Sequence, residues 1–194
     1  MLGLEKGLVK LLPHDERWHD LFAEEKARLL EAVGEMVEAV EHVGSTSVCG
    51  IAAKPILDIA AAVKDRAAGE KCVAPLEGIG YTYRGENGIA GRFYFVKGAA
   101  ERRTHHLHLY AADNTELKNH LFFRDYLRRN PSIAAEYDGL KKDLAAKYPG
   151  DRDAYLDGKA AFVEKILKSA QRSSAHKEPS FVIGRPITAD GTPD

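Results

Sequence analysis

The stretch His42–Asp58, HVGSTSVCGIAAKPILD, decides the reading of this chain. Leading into it, residues 36–43 alternate, with Val37, Ala39, Glu41 and Val43 on one side and Glu38, Val40 and His42 on the other. That is the period of a strand. The chain then enters Gly44-Ser45-Thr46-Ser47 and leaves through Lys54-Pro55 into Ile56–Val63, which is apolar except for Asp58. An almost wholly apolar run of this length fits a strand covered on both faces. Glycine at a strand end lets backbone N–H groups approach a phosphate. The hydroxyls of Ser45, Thr46 and Ser47 add neutral donors, and Lys54 adds positive charge on the same connection. A lone carboxylate in such a strand is costly unless it meets a metal, a cation or several donors, which makes Asp58 a candidate site residue. The competing reading is a capped turn with Asp58 satisfied by backbone amides.

Upstream, Trp18, Leu21, Phe22, Leu29 and Val33 recur at helical spacing and predict a helix over 15–33, capped by Asp15 and stopped at Gly34. Downstream, residues 65–78 read as a weak helix disturbed by Pro75, followed by short strands at 81–84, 92–96 and 104–110. Three helices follow, at 116–129, from Asn130-Pro131 onward, and at 153–170. From Gln171 the helical period is lost among prolines and glycines, so 1–170 reads as one domain and 171–194 as a flexible tail, with Phe181–Ile183 as a piece able to dock.

Length and composition bound the class. The 194 residues suit one folding unit, and 44% hydrophobic with 29% charged residues is a globular mix. A formal net charge of −1 removes the strongest argument for broad nucleic-acid binding. No apolar run approaches the roughly 20 residues that span a bilayer, and the N-terminal stretch lacks the pattern of a secretory signal. Cys49 and Cys72 are too few for a disulfide framework and lie in no paired metal spacing. The expectation is a soluble, cytoplasmic protein with reduced thiols.

A second chemical feature lies at Thr104–Tyr110, THHLHLY. Alternation puts His106 and His108 on one face with Thr104 and Tyr110, and His105 on the other with Leu107 and Leu109. Two histidines two positions apart, facing a carboxylate, suit a transition-metal site, an anion-binding surface, or simply two half-exposed strand histidines. Around them Arg84, Arg92, Lys97, Arg102 and Arg103, with Glu86 in the turn between, offer bidentate anion contacts or ordinary surface charge. Cys49 in the glycine-rich loop reads either as a nucleophile activated by a histidine or as a small apolar residue.

The stretch HVGSTSVCGIAAKPILDI resembles the signature of the GrpB family, and YRGENGIAGRFYFVKG, RTHHLHLY, HLFFRDYLRRNP and YLDGKAAFVEKIL resemble that family's later blocks in order, over roughly residues 10–170. The resemblance implies an α+β fold: a nucleotidyltransferase-like mixed β-sheet with helices packed on it and a helical C-terminal half. In that superfamily a Gly-Ser loop and two strand carboxylates two positions apart, with a third on a later strand, hold two metal ions on a nucleotide. Gly44 and Ser45 match the loop and Asp58 the first carboxylate. The second falls on Ala60, which binds no metal, and the later strand carries His106 and His108 instead. Cys49 also departs from the proline usual there.

Three functions follow from the resemblance and the residues together. One is a binding module for a nucleotide or other phosphorylated, anionic small molecule, coenzyme A-related ligands included because family members occur fused to dephospho-CoA kinase. Another is a metal-dependent enzyme moving a nucleoside monophosphate to a small acceptor. The third is a different chemistry run by Asp58, His106 and His108, with or without a divalent ion, magnesium or a transition metal. The missing second carboxylate ranks ligand binding with altered catalysis first.

Overall fold

The computed structural model describes residues 2–174, and the expected tail from residue 175 on, with Phe181–Ile183, lies outside the described residues. The architecture is α+β. A mixed sheet has the order β2-β3-β6-β5-β4, formed by Val37–Val43 (β2), Leu57–Val63 (β3), Arg102–Ala111 (β6), Phe93–Ala99 (β5) and Tyr81–Tyr83 (β4). A short β1, Leu4–Glu5, unforeseen in the sequence, pairs antiparallel with Arg102 and Arg103. The β3–β6 pairing is parallel and the others are antiparallel. A parallel neighbour needs a crossover, and here it runs through Arg66–Gly78 (α2), β4 and β5.

The helices follow the apolar stripes, with shifted ends. Arg17–Val33 (α1) begins two residues later than expected, and Asp15 accepts a hydrogen bond from the Arg17 backbone N–H at 3.1 Å. Pro75 stands inside α2 without ending it. Asp65 caps that helix by accepting from the Ala68 N–H at 2.9 Å. Thr115–Arg129 (α3), Pro131–Lys147 (α4) and Arg152–Ser174 (α5) make up the C-terminal half, with α5 running four residues past the expected boundary at 170.

Alternation along the sheet sorts two apolar layers. Leu57, Ile59, Ala61 and Val63 of β3, with Leu107 and Leu109 of β6 and Phe93 and Phe95 of β5, pack against Trp18, Leu29 and Val33 of α1 and Cys72 and Leu76 of α2. Burying such side chains contributes about 1.5–3 kcal/mol each, so this layer carries most of the stability. One charge is set into it: Glu25 of α1, 2% exposed, accepts from Lys97 Nζ at 2.7 Å and from the Tyr81 hydroxyl at 2.8 Å. Lys97, expected beside the late-strand histidines, is spent there.

The opposite face carries Val43, Ala60, Ala62 and Tyr110 against Leu117 of α3. Helices therefore cover both faces, and α3 packs with α4 and α5 through Phe122, Phe123, Leu127, Ala134, Tyr137, Phe162 and Ile166. This second layer is incomplete at the C-terminal end of β2 and the N-terminal end of β3. The gap is the candidate site.

Candidate functional site

Strand register assembles the site. Val43 is opposite Asp58 in the β2–β3 pair, so Gly44 lies directly beyond β2 beside that carboxylate. Parallel pairing then sets Asp58 beside His106 and Ala60 beside His108, and β5 sets Tyr94 beside His108. Side chains at paired positions share a face, so the carboxylate and both histidines meet on the α3 side. Gly44 has φ +68°, a conformation few non-glycine residues adopt, and a Cβ there would stand 2.5 Å from Asp58 Oδ2.

His106 Nδ1–H donates to Asp58 Oδ1 at 2.9 Å, and its Nε2 is buried and without a partner among the described residues. Burial alone raises the Asp58 pKa, but the His106 hydrogen bond and the nearby His106, His108 and Lys54 hold it below the usual carboxylate range. Asp58 is thus ionised at neutral pH. His108 is pushed down to about 3 by burial, with His120 and Arg92 adding to the effect. It is a neutral imidazole. Arg92 Nη1 donates to its Nδ1 at 3.3 Å, so the proton sits on Nε2.

Arg92 is itself built in. Its Nε donates to the Glu86 carbonyl at 3.1 Å, its Nη2 to the Asn87 carbonyl at 2.7 Å, and its guanidinium lies 4.7 Å from the Tyr94 ring centroid. Both hydrogen bonds go to neutral carbonyls, and no carboxylate lies within ion-pair distance of Arg92 among the described residues.

A cavity of 360 Å³ opens over these groups, walled by the loop after β2, the β3–β6–β5 face, α3, α4 and α5. Asp58, His106, His108, Gly44, Ser45, Thr46, Lys54 and Arg92 all line it. Thr46 contributes wall rather than a free hydroxyl, because its Oγ1 is 2.9 Å from His42 Nε2. Ser47 is not in the cavity: it is fully buried and donates to the Gly44 carbonyl at 2.7 Å, tying the turn closed. Arg84 is exposed and lines nothing here. Glu86 also stands outside, accepting from the Gly91 N–H at 2.9 Å, and reaches the site only through the carbonyl that holds Arg92. Arg103 lines an adjoining cavity of 410 Å³ that shares Lys54, Tyr94, His106 and Arg152 with the first.

The helices bring residues that sequence reading passed over. On α3, Glu116, His120, Phe123, Arg124 and Leu127 face the cavity, and on α5 so do Arg152, Tyr155, Leu156, Lys159 and Val163. Both sets recur every three or four positions, one helix face each. Such a stripe with polar members is the signal that was available. His120 lies beside His108 with the rings tilted and their centroids 5.1 Å apart, and burial lowers its pKa. Lys159 stands 4.5 Å from the Tyr155 ring centroid, and burial together with Lys54 lowers it to about 7. Neither Lys54 nor Lys159 has a carboxylate within ion-pair distance among the described residues.

Lys54, Lys159, Arg92 and Arg152, with Arg124 and Lys141, share this space with Asp58 and Glu116. The donor set does not fit a two-metal clamp: Asp58 is engaged by His106 among cations, Glu116 on α3 accepts from Asn119 Nδ2 at 3.1 Å, and Ala60 at the second strand position is fully buried and offers no ligand.

Residues 8–169 match the protein family described as "GrpB protein". The chain is 43% identical over 167 residues to the UPF0157 protein YqkA of Bacillus subtilis, across 86% of this chain and 48% of that protein, so it spans about half that relative's length. It is 40% identical over 171 residues to the glutamate-rich protein GrpB of Alkalihalophilus pseudofirmus, across 86% of this chain and 98% of the other. The crystal structure of the conserved protein GrpB from Enterococcus faecalis superposes with a TM-score of 0.79 at 42% identity, over 86% of this chain and 99% of that one. No described helix is long and apolar enough to cross a membrane.

Proposed function

We propose that this chain, which belongs to the GrpB family, binds a nucleotide or another phosphorylated small molecule in the 360 Å³ cavity and acts on it through the Asp58–His106 pair. The observation that carries this reading is the cluster of cations around a space of ligand size: Lys54, Lys159 and Arg92, which have no carboxylate within ion-pair distance among the described residues, joined by Arg152, whose nearest carboxylate is the exposed Asp153 at 3.9 Å. Holding buried and half-buried cations together this way is costly unless an anion joins them, and a phosphate offers the oxygens that Arg and Lys bind best. The nucleotidyltransferase-like placement of Gly44 and Ser45 beside Asp58 supports a phosphate end near the loop. Coenzyme A-type ligands belong to the same chemistry.

Asp58 orients the His106 ring by accepting from Nδ1, which leaves Nε2 as an acceptor for a substrate hydroxyl proton. Neutral His108 offers its Nε2–H as a donor, and Arg92 keeps that tautomer in place. A single divalent ion held by Asp58 with His106 is the second reading, favoured by the same partnerless Nε2, whereas His108 has its Nδ1 lone pair taken by Arg92.

A thermal-shift screen with ATP, CTP, GTP, UTP, coenzyme A and inorganic pyrophosphate, each with and without magnesium, tests the binding. A phosphorylated ligand at 100 times its Kd adds about 2.7 kcal/mol of stability. Stabilisation that needs magnesium throughout supports the second reading. No shift with any of them removes both.

Lys159 supplies a pH signature. Its folded pKa is about 7 against 10.5 for the free side chain. Anion affinity is therefore expected to fall as pH rises through about 7, and Lys159→Met should weaken pyrophosphate binding by about 10-fold at pH 6 and flatten the profile. Between pH 7 and 10.5 the unfolded chain holds more protons at this residue, so it makes wild-type stability rise with pH over that window, and the Met variant should lack that contribution. Calorimetric titration at pH 6 and pH 8.5 checks the first expectation. Unchanged affinity in the variant at both values would remove Lys159 from the ligand site.

A further inference from the structure

We infer that His14, His19 and Cys49 form a second site, one that binds a borderline-soft divalent metal ion such as Zn²⁺. None of the three lines the cavity described above. His14 precedes α1, His19 lies in its first turn, and Cys49 is in the loop that leaves Ser47, so only the tertiary fold brings them together. One ligand atom from each lies within 4.8 Å of the others. Cys49 Sγ is 3.6 Å from His19 Nε2. A nitrogen about 2.1 Å and a sulfur about 2.3 Å from a tetrahedral ion stand about 3.6 Å apart, so this pair already has the spacing of two ligands on one ion.

The second observation is His14. Its side chain is 10% exposed, and both ring nitrogens are buried without a hydrogen-bond partner among the described residues. Buried imidazole nitrogens are normally bonded, so a ring lacking both bonds next to a thiol and a second imidazole lacks a ligand. Its orientation is fixed by packing, edge-on to Trp18 with ring centroids 5.6 Å apart. Cys49 is exposed, which gives an ion an entry path.

Two imidazoles and a thiol select the metal class. Hard ions such as Mg²⁺ and Ca²⁺ want oxygen ligands, whereas Zn²⁺ and Co²⁺ accept this set. Binding forms the metal–sulfur bond and releases the thiol proton to solvent, so affinity rises with pH until the thiol is fully ionised. The fourth position is left to water or to Glu16, whose Oε1 is 3.9 Å from His14 Nε2 on an exposed side chain. An ion there clips the start of α1 to the loop that carries Gly44 and Ser45.

The test uses the full chain, stripped with chelator and titrated with Co²⁺ and Zn²⁺. The expected result is one ion per chain, with a thiolate-to-cobalt charge-transfer band and the intense visible bands of tetrahedral Co²⁺. Cys49→Ser should abolish the charge-transfer band, and His14→Ala or His19→Ala should weaken Zn²⁺ binding by more than about 100-fold, beyond the loss seen for outer-shell changes. His106→Ala should leave the thiolate-to-cobalt charge-transfer band unchanged. Zn²⁺ should also slow alkylation of Cys49 by iodoacetamide. No stoichiometric binding, a charge-transfer band that survives Cys49→Ser or vanishes with His106→Ala, or alkylation indifferent to Zn²⁺ would each overturn the site. In the last case the thiol and His19 form only a hydrogen bond.

Discussion

Asp58→Asn is expected to leave the fold intact and lower any turnover at the cavity by about 100-fold or more, the usual scale for losing a group that orients an acid–base histidine. The amide keeps the carboxylate's shape and can still accept from His106 Nδ1, so packing is preserved. What disappears is the negative charge that stabilises a proton on His106 Nε2. The same charge is the main counterweight to Lys54, Lys159, Arg92 and Arg152, so pyrophosphate binding should hold or tighten in the variant while chemistry is lost. That split separates the readings. An ion held by Asp58 predicts that magnesium-dependent ligand binding falls together with turnover.

A ligand-free readout accompanies this. The folded pKa of Asp58 lies below its unfolded value, so its contribution to stability is present above pH 4 and is lost as pH falls through the folded value. With the side chain 34% exposed the effect is discounted by solvent, but its sign is fixed. Melting curves between pH 6 and pH 3 should fall less steeply for Asp58→Asn than for wild type. Equal slopes together with a large loss of stability at pH 7 would make Asp58 a structural residue, held for packing alone.

The second large effect belongs to Gly44→Ala. Glycine here holds φ +68°, and the added methyl would meet Asp58 Oδ2 at 2.5 Å and Asp58 Cβ at 2.8 Å. The contact is with a side-chain stem on a central strand, and the turn is pinned by Ser47 donating to the Gly44 carbonyl, so neither partner gives way easily. Backbone strain and overlap together should cost about 2–4 kcal/mol and lower Tm by about 5–15 °C. Because the methyl displaces the carboxylate from His106, activity should fall further than stability predicts. A crystal structure of the variant with Asp58 unmoved and Tm unchanged would show that the turn has room to shift.

Local pattern made the strands and helices legible. Alternation over 36–43 and the apolar run 56–63 place β2 and β3 within a residue, and the stripe through Trp18, Leu29 and Val33 places α1, because each pattern is written in neighbouring residues. β1 left no signal, since two residues cannot show a period. Pro75 weakened the reading of a helix over 65–78 because it removes one helical donor, and the buried Cys72 and Leu76 hold α2 through it.

The site was legible only in halves. Gly44, Lys54 and Asp58 share one connection, and His106 and His108 share one strand face, so each group could be read from the chain alone. That the two groups meet is decided by the parallel register of β3 on β6, which sets Asp58 beside His106 across 48 positions of sequence. Strand alternation tells which face a residue takes and nothing about which strand lies alongside. The same limit hid His120 and Lys159, whose helices read as ordinary amphipathic elements until packing turned their polar members toward the cavity. It also let Ser47 and Arg84 look like ligand residues, although one closes its own turn and the other faces solvent. The sequence by itself determined the longer elements, the turn at Gly44 and the isolated carboxylate, since these rest on local sterics and burial. Only the tertiary structure decided which cations surround that carboxylate and which histidine it holds, since those depend on contacts between distant segments that no local period encodes.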